Sequence, residues 1–366
     1  MKYRINKSSV ALQKKEKGAE KFSCSVRIFL CVLSAVLCIS VISCGNNPDE
    51  KLISGENYGF NAAAVVYYMA QTAGSITEEE MEKHGYDDSK KLDEQMYDDE
   101  HTWYELIMER TIDTMRSMLI ICEAAYKDGY ALDSSDTQYI NSVISEYRIR
   151  GVAAGNLGIN EYLKKVYNYD ITEADLTQII TLSRVYDRYT EKIYDKIAAE
   201  VTDSEIEKYI SENMTDPDRS NTRRLGHILL ANESYDEDSD AIKEKADKLI
   251  AELQADGVTL ESFIKSAEEN SDSNEFFFEN VGKGDMMKAM DEWIYADGRK
   301  IGDIGFVSSK YGGHILYYAA DGEQRCVSEA RISIATKKYQ EWYSRQASTT
   351  KINVKQKKIY AIKTNN

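Results

Sequence analysis

Two prolines, Pro48 and Pro217, are all that a chain of 366 residues contains, and this scarcity narrows the fold more than any other feature. Proline breaks helices and is at home in turns, strand edges and irregular connections. A β-sandwich or loop-rich protein of this length would be punctuated far more often. The stretch between the two prolines is open to long helices, and the second proline marks a place where the pattern can change. Apolar residues make up 42% of the chain, enough to pack a core, and the length suits two or three domains.

Charge adds a second constraint. There are 46 Lys and Arg against 62 Asp and Glu, a net charge of −16. A nucleic-acid binder needs a basic surface to neutralise phosphates, so that class is excluded. The balance is reversed at the start, where Lys2, Arg4, Lys7, Lys14, Lys15, Lys17, Lys21 and Arg27 face only Glu16 and Glu20. The apolar run Ile28–Ser43 follows, and then an acidic body. This is the layout of an export signal. Sixteen residues make roughly 24 Å of helix, short of a bilayer core of about 30 Å. The run ends in Val41-Ile42-Ser43-Cys44. That tetrapeptide resembles the lipobox of a bacterial lipoprotein signal. The resemblance implies that Cys44 is acylated and becomes the mature N-terminus, leaving the chain on the outer side of a bacterial cell membrane. The alternative is a plain membrane anchor with an incidental cysteine. With Cys24, Cys31 and Cys38 in the leader, Cys122 and Cys326 remain. Their spacing does not support pairing, so they read as buried thiols, with a bridge formed outside the cell as the alternative.

After the signal, 1–43, the polar residues 44–57 read as a tether. From 58 to 222 the pattern is helical. Thr77–Glu80 and Thr202–Glu205 have the form of capping boxes, and Thr172–Asp175 opens a further helix. Leu106, Ile107, Ile112, Met115, Leu119 and Cys122 form an apolar stripe that stops at Gly129, and Ser134 or Ser135 is placed to cap the next helix. The segment is rich in tyrosine, whose apolar ring and polar tip suit both core packing and loose contact with unfolded chains. At Pro217 the pattern changes, and Thr222–Leu230 ends in a short apolar run that reads as a strand. Two helices follow, around Leu249 and Phe263, then a short one through Met286, Met290 and Ile294. Ile304–Val307 and His314–Tyr318 read as strands. The fold class is α+β: a mostly helical module with an inserted βαααββ domain over 223–322. A C-terminal helical segment, 323–366, returns to the helical module and includes Ile352–Val354 and Ile359–Ile362 as a strand or extended arm.

Of only four histidines, two stand in the same tetrapeptide, Gly226-His227-Ile-Leu229 and Gly313-His314-Ile-Leu316. With the helix around Ala246–Ile250, the stretch Phe263–Ser271, Gly282–Met286 and Gly302–Ile304, they resemble in order and spacing a parvulin-type peptidyl-prolyl isomerase domain. The match has one residue fewer between Gly302 and His314. Signal, helical segment, isomerase domain and helical tail together resemble the PrsA foldases. The helical part is also similar to the SurA-type chaperone domain.

The resemblance implies a site with no cofactor, no metal and no nucleophile. Two histidines on adjacent strands, His227 and His314, would hydrogen-bond behind the amide, next to a Cys or Asp, a position that falls on Ser273 with Asp272 adjacent. Met286, Met290 and Phe278 would form the apolar cup for the proline ring. Met290 stands where the family has Phe, Phe278 falls near its Leu, and Phe276–Asn280 replaces its glycine-rich loop. Phosphate-directed parvulins need basic residues beside the first strand. Here Asn232–Asp240 carries five carboxylates, which would repel phosphate. The implied partners are unfolded or newly exported polypeptides and, through Cys44, a lipid membrane. Two functions stay open: isomerisation of Xaa-Pro bonds, or a holdase whose isomerase domain is structural.

Overall fold

The computed structural model describes residues 50–231, 240–255, 257–273 and 275–362. The leader, Cys44 and most of the acidic stretch after the first long strand lie outside the described residues. The chain is a mixed α+β protein. The described residues divide into two compact units, one holding 50–197 with 338–362 and the other holding 198–337.

The first unit is built on helices. Short strands β1 (Ile53–Ser54) and β2 (Gly59–Phe60) lead into α1 (Ala62–Gly74), α2 (Glu78–Lys83), α3 (Trp103–Lys127), α4 (Ser134–Ala153), α5 (Ile159–Tyr167) and α6 (Glu173–Ala199). Helix starts follow side-chain chemistry. Thr102 and Glu105 form a reciprocal capping box for α3, and Asp133 and Asp136 do so for α4. Asp133, rather than Ser134 or Ser135, is the cap of α4, because its carboxylate reaches the amides of Ser135 and Asp136 together. The core runs from Leu52 through Trp103, Leu119 and Tyr167 to Ile359 and Ile362.

Two expectations change here. The tether ends earlier than residue 57: Leu52 and Ile53 are buried, and β1 pairs with both β2 and a strand of the tail, β7 (Asn353–Val354). Two apolar residues in a polar run are too few to show a period. The final arm is not extended, because α12 (Gln356–Tyr360) occupies it. Ile359 and Ile362, both buried, are three residues apart, which is helical spacing.

The second unit opens with α7 (Asp203–Asn213), whose start is a full Thr202–Glu205 capping box. It continues with β3 (Asn221–Ala231), α8 (Asp240–Ala255), α9 (Leu260–Asn270), β4 (Phe277–Val281), α10 (Lys288–Ile294), β5 (Ile304–Ser309) and β6 (Gly312–Gln324). The last helix, α11 (Arg325–Thr349), starts in this unit and ends in the first, where Tyr339, Trp342 and Tyr343 pack against Tyr189 and Ile193. The sheet is antiparallel in the order β4-β3-β6-β5. The sequence order is thus βααβαββ, with one strand more than the sequence pattern suggested. Cys122 and Cys326 are both buried free thiols. Among the described residues no helix is long and apolar enough to cross a membrane.

Candidate active site

The repeated Gly-His-Ile-Leu motif explains how the sheet is two-faced. Alternate residues of a strand point to opposite faces. Gly226 and Ile228 on β3, with Gly313 and Ile315 on β6, face α8 and α9. A Cβ on Gly226 would lie 2.5 Å from the Phe263 ring, and one on Gly313 would lie 2.4 Å from Phe306 and 2.6 Å from Ile242. The glycines therefore let rings lie flat on that face, where Phe263 also stacks on Tyr317. The histidines are turned to the other face. Leu229 pairs with His314 and His227 with Leu316, so the two imidazoles are diagonal neighbours.

The imidazoles are buried, 6% and 3% exposed, and stack with ring centroids 5.2 Å apart. All four ring nitrogens have partners. His227 Nδ1 lies 3.0 Å from the carbonyl oxygen of Glu275, His227 Nε2 lies 2.9 Å from His314 Nδ1, and His314 Nε2 lies 2.7 Å from Ser309 Oγ. A carbonyl only accepts, so His227 carries its proton on Nδ1 and accepts at Nε2. His314 Nδ1 then donates to it, and His314 Nε2 accepts from the Ser309 hydroxyl. The pair forms a directed chain of two neutral imidazoles. Burial lowers the pKa of His227, opposed by the Glu275 carbonyl. Burial, and then the charge of His227, lower that of His314 to about 4.

The same face continues as an apolar surface. Leu225, Val281, Met290, Ile294, Leu316 and Tyr318 form a buried cluster, and Phe278, Met286 and Val307 pack against it half-buried. Met290 is only 3% exposed. The Phe278 ring lies 5.5 Å from that of His227. The structure thus brings Met286, Met290, Phe278 and both histidines onto one face.

Residues 208–319 match the family model of the PPIC-type PPIase domain. The sheet unit contains a PPIC-type PPIase domain. No curated protein matches the chain. Among solved structures it is similar to PrsA from Bacillus subtilis, at 19% identity over 70% of this chain and 92% of that one, with a TM-score of 0.34. Foldase protein PrsA from Streptococcus pneumoniae matches at 16% identity over 68% and 88%, TM-score 0.28. A structure of the SurA-like chaperones PEB4 and Cj1289 of Campylobacter jejuni matches at 18% over 64% and 88%, TM-score 0.23.

Two expected site residues of the PPIase domain lie away from the pair. Asp272 serves the edge of β3: its amide donates to the carbonyl of Leu229 at 2.8 Å, and its Oδ2 accepts from the amide of Ala231 at 2.8 Å. Ser273 Oγ accepts from the amide of Glu275 at 3.1 Å, so it shapes the turn that offers the Glu275 carbonyl to His227. The residue that bonds the pair directly from the side chain is Ser309, which sequence reasoning did not single out. Its signal is the hairpin: Val307 pairs with His314 and Ser309 with Gly312, which sets a hydroxyl one strand away from the imidazole. Phe276–Asn280, read as a replaced loop, is largely strand β4, with Phe278 opposite Leu225.

Proposed function

We propose that the chain is a folding factor that accelerates cis/trans isomerisation of Xaa-Pro bonds in exported polypeptides. The observation that carries this reading is the buried neutral histidine chain on the same sheet face as Met286, Met290 and Phe278. Rotation about an Xaa-Pro bond is slowed by amide resonance, a barrier of about 18–20 kcal/mol. Lowering it needs no bond to be made. An apolar cup can hold the proline ring while the amide twists and loses conjugation. Imidazoles bonded at every nitrogen supply a fixed, uncharged polar wall and no free nucleophile. The Ser309 hydroxyl donates to His314 Nε2 at 2.7 Å, nearer than the alternative acceptor, the carbonyl of Gly312 at 3.3 Å, and so closes the chain. Met286→Ala is expected to lower kcat/KM for an Xaa-Pro peptide about tenfold by removing cup contact. Unaltered kinetics would remove Met286 from the site.

Foldase activity at a membrane surface follows from the leader. In this reading Cys44 carries the lipid, and the protein works outside the cytoplasm. Labelled fatty acid is expected to enter the wild type and not Cys44→Ala; equal labelling of both would overturn the anchor.

A holdase reading is favoured by one further observation. In the helical unit Tyr130, Tyr186, Tyr339, Trp342 and Tyr343 are half-buried around Tyr189 and Ile193, a row of aromatic groups not closed over. Such rings make contact with extended chains of many sequences. The two activities are compatible, and a client without proline separates them.

A further inference from the structure

We infer that Arg325, the first residue of α11, is a positioning residue for the proline cup and holds the Met286 loop from outside the family-matched segment. Its functional consequence rests on the isomerase reading; its geometry does not. Met286 is not on a helix or strand. It follows Asp285 in the loop between β4 and α10, and that loop is tied down by two helices. Arg325 Nη2 donates to Asp285 Oδ1 at 2.8 Å, and Arg325 Nη1 donates to the carbonyl of Lys283 at 3.0 Å. From α10, Asp291 Oδ1 accepts from the amide of Gly284 at 2.7 Å. The other oxygen of Asp285 accepts from the amide of Gly282 at 2.7 Å.

The loop is shaped to admit the guanidinium. A Cβ on Gly282 would lie 2.6 Å from Arg325 Nη1 and 2.9 Å from Asp285 Oδ2, so a side chain there would push the guanidinium off its seat. Gly284 has φ +90°, a left-handed conformation that a side chain would strain. Arg325 is itself fixed, with its amide on the carbonyl of Ser220 at 2.9 Å and its Nε on Glu329 at 3.1 Å. Both members of the Arg325–Asp285 pair are 27% exposed, so solvent screens it less than a free surface pair. The planar fork spans a carboxylate and a carbonyl at once, which a lysine cannot do with the same geometry. The family match ends at residue 319, yet the group that fixes the cup loop lies beyond it.

The test uses the full chain with its methionine methyls labelled with carbon-13. In Arg325→Leu, kcat/KM for an Xaa-Pro peptide is expected to fall about tenfold, about 1.4 kcal/mol. The loss should lie in KM, with kcat held within about twofold. The Met286 methyl signal should sharpen and move towards that of free methionine while the buried Met290 signal stays in place. Arg325→Lys should recover part of the KM, and Gly282→Ala should reproduce the Arg325→Leu pattern. An unmoved Met286 signal with unchanged KM in both Arg325→Leu and Gly282→Ala would overturn the inference. So would simultaneous loss of the Met290 signal, which would mark a general structural role. If the wild type does not isomerise the peptide, the isomerase reading fails, and the methyl signals still decide whether Arg325 sets the position of Met286.

Discussion

In the helical unit two buried carboxylates fasten distant segments of the chain, whereas in the sheet unit two buried histidines bond to one another. Glu123, 1% exposed on α3, accepts from the amides of Asn57 and Tyr58 at 2.8 and 2.9 Å and from the Asn57 side chain at 2.7 Å. Asp136, also 1% exposed, takes Arg184 at 2.7 Å and caps α4. These carboxylates are charged groups matched by donors, and each joins segments far apart in sequence. His227 and His314 are neutral, chained to Glu275 and Ser309, and beside an apolar surface that is only half-buried. Buried charge saturated with donors is an anchor. A neutral chain beside an open apolar face is suited to receive a substrate.

The comparison breaks first at the tail. The helical unit takes β7, Ile359 and Ile362 from the end of the chain, and the amide of Lys355 donates to the carbonyl of Leu52 at 2.8 Å. Ending the chain after Thr349 removes two buried isoleucines and uncovers Leu52 and Ile53. The helical unit is expected to lose upwards of about 4 kcal/mol. The sheet unit, which contributes none of these contacts, should keep its own transition in a denaturant titration followed by residue-specific probes. Equal losses in both units would mean that they fold as one.

Acid sharpens the contrast, because the two units carry pKa shifts of opposite sense. Burial lowers His314 to about 4, below its ordinary 6.5, and lowers His227 as well. Between those values the unfolded chain binds more protons than the folded one. The histidine contribution to the sheet unit is therefore complete above pH 6.5 and falls as pH drops, by on the order of 1 kcal/mol per pH unit. In the helical unit burial raises Asp187 from 3.8 to about 6, against the nearby charge of Arg184. There the folded state binds the extra proton, so this contribution grows as pH falls from 6. From pH 6.5 to 5, above the ordinary carboxylate range, amide protection corrected for the pH dependence of intrinsic exchange should fall on β6 and not on α3. The same direction of change in both would contradict these assignments.

The sequence carried most of the sheet unit and less of the small features. The helix caps at Thr77 and Thr202 hold in the structure because capping is local: a side chain three residues from its partner amide. The histidine pair was legible because the glycine before each imidazole and the isoleucine after it repeat the same two-faced demand on neighbouring strands. β4 was not. Phe276, Phe277 and Phe278 do not alternate, and the strand state of Phe277 and Phe278 depends on pairing with β3. β1, β2 and β7 have two residues each, below any detectable period. Ser309 and Arg325 act across a hairpin and across some forty residues, and spacing along the chain does not report such contacts.

The smallest expected effect is at Ser309. Ser309→Ala leaves His314 Nε2 without its donor and the amide of Tyr311 without its acceptor, at 3.1 Å in the wild type. A stability loss of about 1 kcal/mol in the sheet unit is expected. An accompanying shift of the imidazole nitrogen signals would locate the change in the histidine chain, and a helical unit altered to the same degree would argue against it.

The most direct measurement is the refolding of a client whose slow step is an Xaa-Pro isomerisation, which takes tens to hundreds of seconds uncatalysed. Wild-type protein at micromolar concentration is expected to shorten that phase in proportion to its concentration, without shortening the fast phases. A slow phase of unchanged duration would contradict an active isomerase site on the face shared by His227, His314 and Met286.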